Sequence, residues 1–313
     1  MSAIGFVHHP AATEHATGPG HPERPERAAA VLERVDASGL GAQLDRLEAS
    51  EAPLAALERV HTADHVARVR ERCSAGFGIL DGGDTTISKG SWRAALTASG
   101  GALDAVDRVM DGRWSRAFCV ARPPGHHAER GHAMGFCLFN NIAVAAAHLR
   151  ATHGLERVAI VDFDVHHGNG TQHLFEQDPS IFFASLHQWP HYPGTGAAGE
   201  RGRGDGEGAT LNCPLEAGTG DPEWIGAIEE HVLPALEAFR PEFLLVSAGF
   251  DAHRADPLSG TLVTEDGYAT ITARLTQFAD ERCDGRMVSL LEGGYDLDAL
   301  ASSAETHIGG LIG

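Results

Sequence analysis

Cysteine is scarce in this sequence, and the few cysteines are not spaced as pairs. Only five occur among 313 residues, and none belongs to a C-x-x-C motif. This spacing argues against a disulfide framework and against a zinc site built from thiolates. We therefore predict a reducing environment, with the cytoplasm as the expected compartment.

Long apolar runs are also missing. The first residues, MSAIGFVHHP, contain no basic segment followed by an apolar stretch, and no uninterrupted apolar run is long enough to cross a bilayer. The sequence therefore predicts a soluble protein with no membrane association.

The sequence has few positively charged residues compared with acidic ones. The sequence has 24 Lys and Arg residues against 43 Asp and Glu residues, which gives a formal net charge of −19. A surface of this sign repels polyanions, so we predict no direct nucleic-acid binding. Such a surface can concentrate a cationic substrate, for example a lysine-rich tail or a polyamine, although acidic surfaces also serve solubility alone.

Short apolar runs alternate with helical periodicity along the whole chain, which is 42% hydrophobic. This alternation is typical of βαβ units and a parallel sheet. The length allows one large domain or two smaller ones, and because no break in composition occurs we predict a single α/β domain over residues 1–313. Strands are predicted at residues 4–8, 116–121, 157–163, 181–186, 243–248 and 287–291. Helices are predicted at residues 25–35, 63–73, 92–110, 141–151, 222–238 and 265–280.

Residues 194–208 are so rich in glycine that we predict a loop. The segment begins with a match to G-x-G-x-x-G, but Pro190 and Pro193 precede it and no apolar helix pattern follows. The strand, turn and helix that a dinucleotide site requires are therefore missing. A surface or rim loop is the interpretation that this composition favours.

Clusters of polar residues directly follow four of the predicted strands. The carboxyl ends of parallel strands line the ligand crevice of an open sheet, so we expect the four clusters to meet in one pocket. The clusters are RPPGHH at residues 122–127, DFDVHH at 162–167, GFDAH at 249–253 and EGGY at 292–295.

Asp164 and His166 form a candidate chelating pair. They are two residues apart in a segment predicted to be extended, so their side chains point to the same side. Asp251 adds a third ligand, and three protein ligands with one open position are typical of a catalytic zinc site. An Asp-x-His sequence alone could equally be a turn with capping side chains, but its combination with Asp251 and the paired histidines favours a metal site.

Four further residues of the clusters are candidates for proton transfer and oxyanion binding. His126 and His127 follow a rigid Pro-Pro-Gly turn, which favours an acid/base pair over a chance pair on the surface. Asp162 is expected to orient one of the histidine rings. Tyr295 follows two glycines, whose permissive backbone can turn the phenol into the pocket, and a core aromatic is the alternative.

With these motifs in this order, the sequence resembles the zinc-dependent histone deacetylases and their bacterial relatives, the acetylpolyamine amidohydrolases and histone-deacetylase-like amidohydrolases. The resemblance implies an arginase-like α/β fold, a single domain with a central eight-stranded parallel sheet flanked by helices. Its motifs are HPERPER at residues 21–27, GFC at 135–137, DFDVHHGNGT at 162–171, PGTG at 193–196 and EGGY at 292–295.

The resemblance also implies a role for each site residue. The implied zinc ligands are Asp164, His166 and Asp251. The implied catalytic residues are His126, His127 and Tyr295, with Asp162 orienting the first histidine. The implied substrate-binding residues are Gly135 and Phe136 with Tyr192 as walls of an acyl-lysine tunnel, Arg27 beside an inner acetate cavity and Asp84 at the rim.

Potassium is a second implied cation. Backbone ligands carry no sequence signature, so these sites rest on the resemblance alone. The site near zinc is implied to use the Ser185 hydroxyl and the carbonyls of Asp162, Asp164, His166 and Leu186. A further site is implied to use backbone around Phe175, Asp178 and Ile181.

Asn169 departs from the pattern of many relatives. They have an aspartate at this position, which orients the second catalytic histidine, and a neutral amide stabilises an imidazolium less strongly. The HHGNG variant resembles the class II branch, so we expect the chemistry to be preserved. The protonation of His127 is the property that this exchange affects.

The predicted reaction is zinc-dependent hydrolysis of an acylated amine, such as acetyl-lysine, to acetate and free amine. His127 removes a proton from water, and zinc with the Tyr295 hydroxyl stabilises the oxyanion. His127 or His126 then protonates the leaving amine. Acetyl-lysine proteins, acetylpolyamines and other small amides all fit this centre, and the oligomeric state is open.

Two other functions share parts of the pattern. A two-metal ureohydrolase of the arginase kind has the same fold, but it needs another carboxylate where Asn169 stands. A non-catalytic acyl-amine sensor or an acetoin-utilisation-like protein normally has a broken catalytic set. The set in this sequence is whole, so hydrolysis is the function that we predict.

Overall fold

Strands and helices alternate along most of the chain in the computed structural model, which describes residues 3–313. The strands are β1 (Ala3–His8), β2 (Leu44–Glu48), β3 (Gly78–Leu80), β4 (Thr85–Ile87), β5 (Trp114–Cys119), β6 (Val158–Asp162), β7 (Ile181–Gln188), β8 (Thr210–Leu215), β9 (Phe243–Ala248) and β10 (Met287–Leu291). The helices are α1 (Glu26–Ala37), α2 (Leu54–Leu57), α3 (Ala63–Ala75), α4 (Ser91–Met110), α5 (Asn141–His153), α6 (Asn169–Phe175), α7 (Asp221–Ala227), α8 (Leu233–Phe239), α9 (Glu265–Arg282) and α10 (Leu297–Ile312).

Eight of the strands form one parallel sheet in the order β2-β1-β5-β10-β9-β6-β7-β8, and β3 pairs with β4 in a separate antiparallel hairpin. The chain therefore leaves a gap between β5 and β6 that β10 and β9 fill later. Helices cover both faces of the sheet, so the structure confirms the predicted α/β domain with an eight-stranded parallel sheet. Within residues 3–313, none of the helices combines the length and apolar character that spanning a membrane requires.

The central strands are buried on both faces. Every residue of β6, β9 and β10 is buried, as expected for parallel strands that helices cover on two sides. In β6, Ile160 packs into the core on the side of α4 and α5, whereas Val161 packs on the side of α9 and α10. Full burial of such a side chain contributes about 1.5–3 kcal/mol.

All six predicted strands are present, with bounds within about two residues. The predicted helices are present as well, and the one predicted at residues 222–238 is helical without a break over residues 221–239 but contains a π-helical turn. A π-helical turn at Ile228–Val232 joins α7 to α8, and the Leu233 N–H bonds the Ile228 carbonyl five residues earlier. Pro234 has no N–H and its ring would clash with the preceding turn of a regular helix, so a wider turn is favoured here.

Candidate active site

The four polar clusters follow four adjacent strands. β5, β10, β9 and β6 are neighbours in this order at the centre of the sheet, and each cluster begins within a few residues of its strand's carboxyl end. All four strands run in the same direction, so the clusters meet at one edge of the sheet. β5 and β6 follow each other in the sequence but are separated in the sheet by β10 and β9. Such a change in strand order is the usual place for a ligand at the carboxyl edge of an open parallel sheet.

Asp164, His166 and Asp251 come together there as a buried set. One oxygen or nitrogen from each lies within 4.8 Å of the others, and Nδ1 of His166 is 3.0 Å from a carboxylate oxygen of both aspartates. Burial alone would lower the pKa of His166, but these carboxylates raise it to about 10. The centre of the set therefore favours positive charge.

Backbone groups fix the two carboxylates. The Gly293 N–H donates to Asp164 Oδ2 at 2.7 Å, and the Val165 N–H donates to Asp251 Oδ1 at 2.9 Å. A Cβ atom at Gly293 would lie 2.0 Å from Asp251 Oδ2, and one at Gly249 would lie 2.1 Å from Asp164 Oδ2. Two carboxylates and one imidazole, packed this closely and held by backbone, fit a divalent transition metal.

The two adjacent histidines have different partners. His126 Nδ1 lies 2.9 Å from Asp162 Oδ2, and His127 Nδ1 lies 2.7 Å from Asn169 Oδ1. Burial would lower the pKa of His126, but Asp162 and Asp164 raise it well above its usual value. Burial, with His126 beside it, lowers the pKa of His127 well below that value. These shifts favour a neutral His127, which can accept a proton, beside a charged His126.

The Asn169 amide is itself held by a second partner. Its Nδ2 donates to Glu129 Oε1 at 3.1 Å and lies 3.3 Å from the Met134 sulfur. A carboxylate can only accept, so Glu129 fixes the amide nitrogen on its own side and turns Oδ1 toward His127. The ring proton of His127 is thereby kept on Nδ1, and its other nitrogen is free to act as a base.

Tyr295 is held from two sides. The Arg27 guanidinium lies 4.9 Å from the centre of the phenol ring, and Arg27 also donates to the carbonyls of Glu292 and Gly294. The Tyr295 N–H donates to Asp256 Oδ2 at 2.6 Å. Arg27 is fully buried and lies behind the phenol. Burial raises the pKa of Tyr295 well above its usual value, so the hydroxyl remains a donor.

A cavity of about 220 Å³ leads to these groups. The rings of Phe136 and Tyr295 are 6.0 Å apart at 80°, and Tyr192 meets His127 at 5.2 Å. A Cβ at Gly135 would lie 2.2 Å from the His127 ring, so only glycine fits this wall. The cavity is lined by Asp84, His127, Gly135, Phe136, His166, His191, Tyr192, Leu258 and Tyr295.

A model of the histone deacetylase domain matches residues 21–311. The chain belongs to the histone deacetylase family. It is 42% identical to a probable deacetylase of Archaeoglobus fulgidus, over 94% of this chain and 82% of the relative. It is 41% identical to a histone deacetylase-like amidohydrolase of Pseudomonas aeruginosa, over 93% and 75%.

Two further similarities concern a human relative and a solved structure. The chain is 39% identical to polyamine deacetylase HDAC10 of Homo sapiens over 93% of its own length, which is 44% of that protein. The crystal structure of the HDA15 HD domain superimposes with a TM-score of 0.95 and 40% identity, covering 99% of this chain and 88% of the other. These relatives support an amide-hydrolysing deacetylase function for this chain.

The residues that the family resemblance connects with potassium are in two places of this deacetylase fold. Ser185 on β7 pairs with Asp162 on β6, so those two residues are neighbours, and the Ser185 hydroxyl is 3.0 Å from His187 Nδ1. Phe175, Asp178 and Ile181 lie in two successive turns, in which the Asp178 N–H donates to the Phe175 carbonyl at 2.8 Å and the Ile181 N–H donates to the Asp178 carbonyl at 3.3 Å.

Some residues of the deacetylase site were not predicted from the sequence. Glu292 Oε2 accepts from the Gly125 and His126 N–H groups at 2.6 and 3.2 Å, and so holds the turn that carries the histidines. His191 stacks on His166 with ring centres 5.1 Å apart. A buried acid directly after a strand was the available signal for Glu292, and the neighbouring Tyr192, implied as a tunnel wall, was the signal for His191. No motif around Leu258 pointed to the cavity.

Proposed function

We propose that the protein is a zinc-dependent deacetylase that hydrolyses the amide of an acylated amine. Asp164, His166 and Asp251 are the proposed ligands of one zinc ion. The observation that carries the proposal is that this buried set borders, through His166, a narrow cavity whose walls include Phe136 and Tyr192. A linear acyl chain is the substrate shape that we propose for this cavity.

The protein's own groups have distinct proposed tasks. When bound, zinc supplies Lewis acidity for the amide carbonyl and for water. His127 lines the cavity and is neutral, so it accepts the proton of the attacking water. The Tyr295 hydroxyl donates to the carbonyl oxygen as negative charge develops there, which contributes roughly 3–4 kcal/mol.

Proton transfer to the leaving amine completes the proposed reaction. His127, protonated by then, delivers this proton, and the charged His126 beside it makes His127 a stronger acid. Asp162 keeps the positive charge on His126 throughout. Acetate and the free amine leave with no change in the protonation of His126.

Potassium belongs to the proposal as a structural ion. The inner site would use the Ser185 hydroxyl and the carbonyls of Asp162, Asp164, His166 and Leu186. The adjacent positions of Asp162 and Ser185 on β6 and β7 support it. The outer site, around Phe175, Asp178 and Ile181, rests on the family resemblance and on the two successive turns that these residues form.

Metal analysis with activity assays tests the zinc proposal. We expect one zinc equivalent to be necessary for activity, and Asp251→Asn to lose both zinc and turnover. Asp205→Asn, in an exposed loop, is the matched control and should keep both. Activity that requires two transition-metal ions per chain would instead support the arginase-like alternative.

A comparison of substrates tests the substrate class. A chain with a charge of −19 should favour cationic linear acylamines, and a polyamine deacetylase is among its relatives. We expect kcat/KM to be highest for acetyl-lysine peptides or acetylated polyamines and to fall as salt rises. A higher kcat/KM for acetylated polyamines than for acetyl-lysine peptides would identify the protein as a polyamine deacetylase. A preference for anionic or bulky branched amides would contradict both substrate classes.

A further inference from the structure

A second cluster of metal-ligating side chains lies far from the cavity. Asp107 is in the last turn of α4, and His148 and His153 are near the end of α5. These two helices lead into the amino-terminal ends of β5 and β6, whereas the candidate zinc ligands follow the carboxyl ends of their strands. The cluster is therefore at the opposite edge of the sheet from the catalytic set.

The three side chains of the cluster are hydrogen-bonded and close enough to share one metal ion. Asp107 Oδ1 lies 2.7 Å from His148 Nε2 and 2.6 Å from His153 Nε2, and one ligand atom from each residue lies within 4.8 Å of the others. The histidine side chains are only 12% and 18% exposed, whereas that of Asp107 is 45% exposed. Two positioned imidazoles with one carboxylate open to solvent leave room for water as a further ligand.

We propose that Asp107, His148 and His153 form a second transition-metal site that joins α4 to α5 and takes no part in the reaction. Two nitrogen ligands and one oxygen ligand suit Zn²⁺, Co²⁺ or Ni²⁺, whereas Ca²⁺ and Mg²⁺ prefer oxygen ligands alone. The site binds more weakly than a buried catalytic site because its carboxylate is half exposed.

The groups around His148 affect the affinity of the proposed site for a metal ion. His148 Nδ1 is 3.1 Å from Thr152 Oγ1 and 3.1 Å from Arg59 Nη1. A ring that binds metal through Nε2 carries its proton on Nδ1, and this N–H can donate to the threonine hydroxyl. Arg59 can only donate, so its exposed side chain must move away when metal binds, and its charge opposes the ion.

The test is a titration of the zinc-loaded, dialysed protein with Zn²⁺ by calorimetry and with Co²⁺ by visible absorption. We expect one further equivalent per chain and a rise of a few degrees in Tm, since an ion that binds only the folded state stabilises it. His148→Gln with His153→Gln should abolish the further equivalent and the Tm rise while keeping the first zinc and full activity. His231→Gln, which replaces an exposed histidine outside the cluster, is the control and should behave like the parent.

Arg59→Gln is the second variant. Removal of the opposing charge should tighten binding of the further equivalent about fivefold. The proposal is overturned if the parent takes up no further equivalent, in which case the cluster only hydrogen-bonds two helices. It is also overturned if the double histidine variant binds as much metal as the parent. Activity of the parent is measured in parallel, so failure of the proposed function is recognised separately.

Discussion

One substitution at Tyr295 can distinguish a catalytic role of its hydroxyl from a packing role of its ring. Tyr295→Phe keeps the ring between Arg27 and the cavity and removes only the donor. Because charge develops on the carbonyl oxygen after water attacks, we predict a fall in kcat of roughly 10²–10³ with little change in KM. Steady-state kinetics with zinc analysis measures this.

Tyr268→Phe is the matched control for that prediction. The Tyr268 hydroxyl is buried and is not part of the cavity lining, so its loss should leave kcat unchanged. Near-normal turnover of a folded, zinc-loaded Tyr295→Phe protein would instead assign the oxyanion contact to another donor, such as His126.

Glu129 is expected to act on His127 through Asn169. Glu129→Ala frees the amide to rotate, so we predict a fall in kcat of about 10-fold, at the lower end of the range for residues that orient catalytic groups, with KM unchanged. Glu129→Gln still offers an oxygen to Asn169 Nδ2, and its kcat should return to nearly the parent value. Equal losses in the Ala and Gln variants would show that the charge matters rather than the orientation.

At the scale of single residues, the site residues that lie in short local motifs could be predicted from the sequence. His126, Asp164, His166, Asp251 and Tyr295 all lie in short motifs after strands, and the structure brings them together. Residues that act through distant contacts could not be predicted in this way. Glu292 meets the Gly125 N–H across 167 positions of the chain, and neither segment alone specifies that contact.

Among the elements, the loop after β10 packs tightly against the proposed metal ligands. A Cβ at Gly293 would lie 2.0 Å from Asp251 and 2.5 Å from Asp164, so at least one ligand would have to move. We predict that Gly293→Ala lowers zinc affinity and kcat/KM by about 10–100-fold. Zinc analysis at fixed free zinc, together with kinetics, measures both.

Gly309→Ala provides the comparison for this loop. Gly309 is inside α10, and apart from its chain neighbours and the helix's own backbone a Cβ there meets no other atom of residues 3–313 within 4 Å. Alanine should therefore leave zinc and activity unchanged and stabilise the helix by about 0.5–1 kcal/mol. Full zinc occupancy and activity in Gly293→Ala would mean that the loop adjusts more easily than its packing indicates.

The elements that were predicted from the sequence are those with a strong periodic signal. The central strands are continuous apolar runs, so they were found within about two residues. The edge strands β2 and β8 were not predicted. β2 is mostly exposed and carries charges, and β8 contains Pro214, so neither has the apolar pattern of a central strand. The pattern of α10 was also missed, since two adjacent glycines and small polar residues weaken its helical signal.

The whole molecule should be sensitive to acid because it buries neutral histidines. Burial lowers the pKa of His61 and of His307 to about 3. Below about pH 6.5 the unfolded chain takes up these protons while the folded protein does not. We therefore predict that each histidine lowers the free energy of unfolding by about 1.4 kcal/mol per pH unit between pH 6.5 and about 3, and contributes no slope above pH 6.5.

Urea unfolding at several pH values checks this, with His307→Gln as the variant. His307 bonds Thr272 and Ser289 at 2.7 and 2.9 Å, and glutamine can bond such hydroxyls without titrating. The pH slope of the variant should be smaller by the amount of one histidine. Equal slopes in parent and variant would mean that His307 is protonated in the folded protein.

The strand order of the sheet has a consequence for how the protein is made. β5 and β6 leave the ribosome well before β9 and β10, which later fill the gap between them. Until then the facing edges of β5 and β6 are unpaired, and such edges are prone to aggregate. Asp251 and Tyr295 emerge with the late strands, so the nascent chain lacks one of the proposed metal ligands and the proposed oxyanion donor until then. We expect synthesis of this enzyme to depend on a chaperone that covers apolar strand edges until β10 is inserted.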